Sequence, residues 1–168
     1  MFEYKGKTYE GAQALLDNYT ELDKKYYDFW DDKEFREKHD EAWDAVFAYW
    51  MKLLRDATIG MKDVPEDNYD EVYYGLLDEI NILVRFIFES DCATDYEVIY
   101  SDIEKGYEVC TYYFEDFAPS NLVFGIEATR SPYNGIEFGG DVKPTAYVKV
   151  PVTKYEYRPI GHGSDENE

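Results

Sequence analysis

The amino-acid sequence predicts an α+β fold, with N-terminal helices packed on one face of a C-terminal antiparallel β-sheet of four to five strands. Three observations carry this reading. Apolar residues recur at helical spacing up to about Ser90 and alternate beyond it, so the chain changes period once. Helices written first and strands afterwards pack as layers, with the helices gathered on one face of the sheet. The wider hydrophobic set makes up 45% of the 168 residues and aromatics alone 18%, which supplies a core and excludes intrinsic disorder even though 32% of the chain is charged. A chain of this length buries about two-thirds of its unfolded surface without a disulfide or metal to staple it. The expected organisation is one α+β domain over residues 1–160, helical from about 11 to 89 and sheet from about 95 to 158, with a flexible polar tail at 161–168.

The elements follow in order. The opening FEYKGKTYE reads as two short strands around Lys5-Gly6. A first helix is expected from about Gly11 to Trp30, with the stripe Leu15, Leu16, Tyr19, Leu22, Tyr26, Phe29 and Trp30. Asp31-Asp32 breaks it and caps the next helix, whose dipole favours carboxylates at that end. That second helix runs to about Thr58, with a bend near His39 and a stop at Gly60. Met61 to Asn68 is an acidic loop containing Pro65. The third helix spans about Tyr69 to Glu89, and its wide stripe puts Val72, Leu76, Ile80, Leu83 and Ile87 on the core face. Strands are expected at Tyr96–Ser101, Tyr107–Phe114, Leu122–Thr129, Ile136–Phe138 and Ala146–Tyr157. Ser131-Pro132-Tyr133-Asn134-Gly135 is a turn signal, and Pro151 places the last strand at an edge or bulge.

Charge narrows the function. The chain holds 37 Asp+Glu against 17 Lys+Arg, a net charge of −20, with −12 in residues 1–92 and −8 in 93–168. Neutralising phosphates takes clustered Lys and Arg, so direct binding to nucleic acid or to an anionic membrane is not expected. Cys92 and Cys110 suit free thiols in a reducing compartment. The start MFEYKGKTYEG lacks the apolar run of a signal peptide, and the best apolar stretch, Ile80 to Phe88, is broken by Asn81 and Arg85. A cytoplasmic protein is expected.

No catalytic, cofactor-binding or metal-ligating residue is assigned, no cofactor is expected, and the chain is read as not an enzyme. Phosphate-loop and dinucleotide-loop patterns are missing; Gly6-Lys7-Thr8 lacks the upstream glycine and the strand–loop–helix frame. The two histidines and two cysteines lack metal-ligand spacing, and Asp63 to Asn68 lacks the glycine of a calcium loop. His39 reads as a surface histidine near a helix boundary.

The acids form a pattern. In the helical half like charges recur four apart: Asp17–Glu21, Asp28–Asp32, Glu37–Glu41, Asp40–Asp44, Asp63–Asp67–Glu71 and Glu66–Asp70. On a helix such pairs cost a few tenths of a kcal/mol each, so they are not there for stability. A four-residue step rises about 6 Å, comparable to the spacing of successive phosphates along a strand. A row of carboxylates at that pitch can satisfy a Lys/Arg groove in place of nucleic acid. The 18 tyrosines add to this. In the adjacent pairs Tyr26-Tyr27, Tyr73-Tyr74 and Tyr112-Tyr113, both members cannot face one core, so one of each should reach the surface. The densest acidic segment supplies the candidate partner-binding residues Asp63, Glu66, Asp67, Tyr69, Asp70 and Glu71. The competing role for its acids is to stabilise a helix N-terminus through the dipole, with Asn68 or Asp67 as cap.

In composition and layout the chain resembles the small acidic proteins that phages and mobile elements use against host defence, the DNA-mimic anti-restriction and anti-CRISPR proteins. The stretch Tyr133-Asn134-Gly135-Ile136-Glu137-Phe138, with Val142-Lys143-Pro144 and Val152-Thr153-Lys154-Tyr155-Glu156, is similar to the ends of small phage proteins. The resemblance implies an inhibitor in the cytoplasm of a host bacterial cell. Its partner would be a basic nucleic-acid-binding protein, a nuclease or defence complex, whose groove it occupies. An immunity protein against a nuclease toxin and a non-inhibitory assembly module are the alternatives.

Overall fold

The computed structural model describes residues 1–116 and 121–153. The chain opens with a hairpin of β1 (Phe2–Tyr4) and β2 (Lys7–Tyr9), with Phe2 opposite Tyr9 and Tyr4 opposite Lys7. Lys5 and Gly6 close it, both left-handed at φ 46° and 79°, which is the turn geometry that matches strand twist.

Two helices replace the single one expected from Gly11 to Trp30: α1 (Ala12–Asp23) and the one-turn α2 (Tyr26–Phe29). The Lys25 amide donates to the Leu22 carbonyl, tightening the last turn and ending α1. Burial explains the break. Ala12 and Leu15 are fully buried, whereas Phe29 and Trp30 are exposed, so no core contact holds residues 26–30 in line with α1. Asp32 caps α3 (Lys33–Asp56) as expected, accepting from the Phe35 amide at 3.2 Å. α3 runs unbroken through His39, where a bend was expected, and it ends at Asp56, close to the expected Thr58, with Ala57 and not Gly60 at its C-terminal cap. There the Thr58 hydroxyl donates to the Leu54 carbonyl at 2.7 Å and satisfies a last-turn acceptor. The expected acidic loop is largely two 3-10 turns, Ile59–Asp63 and Glu66–Asn68, parted by Val64-Pro65.

α4 (Tyr69–Glu89) occupies the expected span, and its buried stripe is Leu77, Ile80, Leu83, Val84 and Ile87. Val72 is a correction: it is 38% exposed, and Leu76 is only partly buried. The helical period holds, but at the start of α4 the core is reached only by the partly buried Tyr73 and Leu76, and Val72 falls outside it. Contacts fix the helix directions. Tyr49 of α3 bonds Glu79 while Trp43 packs on Phe86 at 5.6 Å, so α3 and α4 are antiparallel. α1 runs parallel to α4, because Ala12 meets Glu79 and Tyr19 meets Phe86. Glu79 also caps α1 from a distance. Its carboxylate accepts the Ala12 amide at 2.6 Å and the Tyr49 hydroxyl at 3.0 Å. It sits against buried Gly11, where a Cβ would meet its Oε2 at 2.8 Å.

The antiparallel sheet holds β3 (Asp95–Asp102), β4 (Tyr107–Glu115), β5 (Leu122–Ser131), β6 (Gly135–Glu137) and β7 (Thr145–Val148). The order is β3-β4-β5, and two short strands share the far side of β5: β6 at residues 129–131 and β7 at 122–125. The register sets Cys110 opposite Ala128, Tyr112 opposite Ile126 and Phe114 opposite Phe124. That row faces the helices. Phe88 of α4 packs on Tyr112 and Phe114, and Trp50 of α3 meets Phe114 edge-on at 5.4 Å. The helices therefore lie on one face of the sheet. The Ser131–Gly135 turn forms, with the Asn134 amide donating to Ser131 Oγ at 2.9 Å and Gly135 at φ 70°. The last strand is shorter than the expected Ala146–Tyr157: it ends at Val148, and Pro151 lies past it. Positions 154–157 of that expectation and the tail at 161–168 fall outside the described residues. Among the described residues no helix is long and apolar enough to cross a membrane.

Candidate interaction surface

The antiparallel helix pair puts the start of α4 at one end of the helical layer and α2 at the other. At the α4 end, Asp63 closes the first 3-10 turn, Glu66 and Asp67 open the second, and Tyr69, Asp70 and Glu71 form the first turn of α4. All six candidate residues are exposed, within a span of nine positions. The 3-10 turns bring the loop acids beside the helix acids, which a sequence reading as an open loop did not require.

None of the five acids has a side-chain hydrogen bond or ion pair among the described residues. The local capping role is not filled by a side chain either: Asn68 holds the cap position without a cap bond. What remains locally is the attraction of Asp70 and Glu71 to the helix dipole, worth about 0.3–1 kcal/mol each. Elsewhere the acidic rows are broken by bases. Glu34 pairs with Lys38 at 2.7 Å, Glu37 with Lys33 at 3.6 Å, Glu21 with Lys24 at 3.1 Å and Glu41 with Lys7 at 3.8 Å. On α3 the Glu37–Glu41 pair is thus met by lysines, whereas Asp40 and Asp44, like the five acids from 63 to 71, have no lysine or arginine partner among the described residues.

Aromatic rings adjoin those acids. Tyr69 stacks on Tyr73 at 5.8 Å, and Tyr73 meets Tyr74 edge-on at 5.8 Å. Burial, followed by its neighbours Tyr69 and Tyr74, pushes the Tyr73 phenol above its usual range. Tyr74 is exposed, as is Asp78 one turn on, so Asp70, Tyr74 and Asp78 continue one face by steps of four. Tyr74 and Asp78 were missed in the candidate set, although the four-residue spacing from Asp70 could have found them. At the opposite end, Tyr27 is 88% and Trp30 61% exposed beside Phe29. In each adjacent tyrosine pair one ring is the more exposed: Tyr27, Tyr74 and Tyr113 lie outward of Tyr26, Tyr73 and Tyr112.

His39 is not the surface histidine expected. Its side chain is 13% exposed, lying between Tyr19 and Tyr26 at 5.1 and 4.7 Å, with Nε2 at 3.0 Å from Asp23 Oδ1. Its contacts bring no serine or cysteine nucleophile; the arrangement ties α2 to α1 and α3. Burial, then Asp91, pushes the half-buried Cys92 thiol up to about 11, and burial raises buried Cys110 as well. A nucleophilic thiol needs the opposite shift. Among the described residues no group of three or more His, Cys, Asp or Glu is placed to hold a metal ion. On the outer sheet face a polar hollow of about 350 Å³ is lined by Thr111, Gly125, Glu127, Thr129, Lys143 and Tyr147.

No protein-family model, curated protein or solved structure matches this chain.

Proposed function

We propose that the protein is an acidic inhibitor of the anti-restriction or anti-CRISPR kind. It binds the basic nucleic-acid groove of a host defence nuclease complex in the bacterial cytoplasm and blocks nucleic-acid access, without catalysis or a cofactor. The observation that carries the reading is the run Asp63, Glu66, Asp67, Asp70 and Glu71: exposed, unpartnered, and set beside Tyr69 and Tyr74 on a chain of net −20. Unpaired surface acids give the chain nothing internally beyond a modest dipole term. They retain their full potential to form charge-assisted hydrogen bonds with arginine and lysine. The tyrosines supply desolvated contact area among the charges.

The test uses the immobilised chain and bacterial lysate at about 50 mM and about 500 mM salt, because charge steering is screened at the higher value. Captured proteins should be nucleic-acid binders, released by salt and by added DNA or RNA. The variant carrying Glu66→Gln, Asp70→Asn and Glu71→Gln should lose capture while its melting temperature changes little. Capture that is indifferent to salt, to nucleic acid and to the triple substitution would overturn the reading. So would micromolar binding of the chain itself to bare duplex DNA. Capture of one cognate nuclease alone, encoded beside this chain, would assign it as an immunity protein instead.

A further inference from the structure

We infer that β3 is a docking edge that takes up an extended, Lys/Arg-bearing strand of a partner protein by sheet addition. β3 is the outermost strand of the sheet and pairs only with β4, so its outward row of N–H and C=O groups has no strand partner among the described residues. An open row of this kind is a template for another strand. β3 is eight residues long, and every residue but Asp102 is exposed. The helical layer covers β4 and β5, and β3 stays exposed along both faces, with Tyr96 stacked on Tyr112 at 5.7 Å and Arg130 lying over the Tyr96 ring. By register, Tyr96 and Val98 share the helix side with Tyr112 and Cys110, while Glu97 and Tyr100 share the outer side with Thr111 and Val109. Ile99, the extra residue of a bulge between Val98 and Tyr100, is 58% exposed. A strand added here would cover apolar side chains on both faces as well as pairing the backbone.

Charge selects the occupant. Asp95, Glu97, Asp102 and Glu104 punctuate the edge, and the ion pair among them is Lys105 with Asp102, at 3.8 Å. Antiparallel pairing with a second copy, centred on Val98 and Ile99, would set Asp95 against Asp102 and join two chains of net −20. Like charges directly opposite are destabilising, and such a pairing fights the field of both chains. Acids and a bulge are devices by which a sheet edge refuses its own kind. The bulge acts on any strand, but the acids do not refuse one with cations at alternate positions, whose main-chain bonds give affinity and whose side chains give selectivity. This surface is separate from the acid–tyrosine segment and does not depend on the inhibitory reading.

Three synthetic peptides of about β3's own length test the inference on the full chain. One alternates valine and lysine, one alternates valine and glutamate, and one is the valine–lysine peptide N-methylated at every second amide. Titration calorimetry reads binding, and amide hydrogen exchange reads where it occurs. The valine–lysine peptide should bind and slow exchange at β3 amides, and the glutamate peptide should not bind. N-methylation keeps the charge but removes donors, so it should weaken binding about tenfold or more, a loss of about 1.4 kcal/mol. Equal binding of the methylated peptide would reduce the effect to bulk charge and overturn the inference. So would failure of the valine–lysine peptide to bind, or protection appearing at residues 63–74 instead of β3. Sedimentation showing a dimer whose β3 amides are protected would make a second copy the occupant, which also overturns it.

Discussion

Removing the carboxylate of Glu79 tests how the helical layer is held together. Glu79 lies on α4, yet it accepts the first amide of α1 at Ala12 and the hydroxyl of Tyr49 on α3. One side chain thus joins three helices. Glu79→Ala leaves the Ala12 amide without its cap and the partly buried Tyr49 hydroxyl without its acceptor. At about 1–3 kcal/mol per unsatisfied buried group, with the half-buried hydroxyl counted at the low end, the expected loss is about 2–4 kcal/mol. For a chain of this size each kcal/mol lowers the melting temperature by about 2–4 °C. Glu79→Gln keeps an acceptor oxygen and loses the charge–dipole attraction, so it should cost only about 0.5–1 kcal/mol. A double-mutant cycle with Tyr49→Phe should return a coupling of about 1 kcal/mol, because the two groups share one hydrogen bond. Urea unfolding monitored by circular dichroism at constant slope measures all three. A loss below about 1 kcal/mol for Glu79→Ala, or equal losses for the Ala and Gln variants, would refute the capping argument.

Three further expectations follow from burial and ionisation. Ile80→Ala should cost about 2–5 kcal/mol and Val72→Ala under about 1 kcal/mol in the same unfolding assay, because the first side chain is fully buried and the second is exposed. Burial first, then Asp23, pushes the Tyr19 phenol up to about 12 from its ordinary 10.0. Folding therefore favours the protonated phenol: this contribution is intact below pH 10 and is lost as pH rises from about 10 to about 12. Tyr19→Phe should flatten that alkaline part of a stability-against-pH curve. Cys92, pushed up to about 11, should react with iodoacetamide at pH 8 far more slowly than a free thiol does, and at the free-thiol rate once urea unfolds the chain.

The acidic charge pattern was legible before the fold, but only in part. Helical period identified α4 to its ends and most of its buried face, and Asp32 was legible as a cap because capping is local. The six candidate residues were legible as a charge-dense segment. Their exposure, and the lack of partners at the five acids, were not, because counterions can come from far away: Lys7 of β2 reaches Glu41 of α3.

The sequence by itself determined what short-range chemistry controls: the change from helical to alternating period, the hairpin turns, the cap at Asp32, and a net charge of −20 that no packing can alter. Tertiary structure decided the rest. It broke the first helix after Asp23, left Val72 in solvent, drew His39 between two tyrosines, set Glu79 on the start of α1 and left β3 as an open edge. Each of these outcomes depends on which distant element arrives alongside and how far it extends. Periodicity records the face a residue points to, and not whether a neighbour is there to cover it.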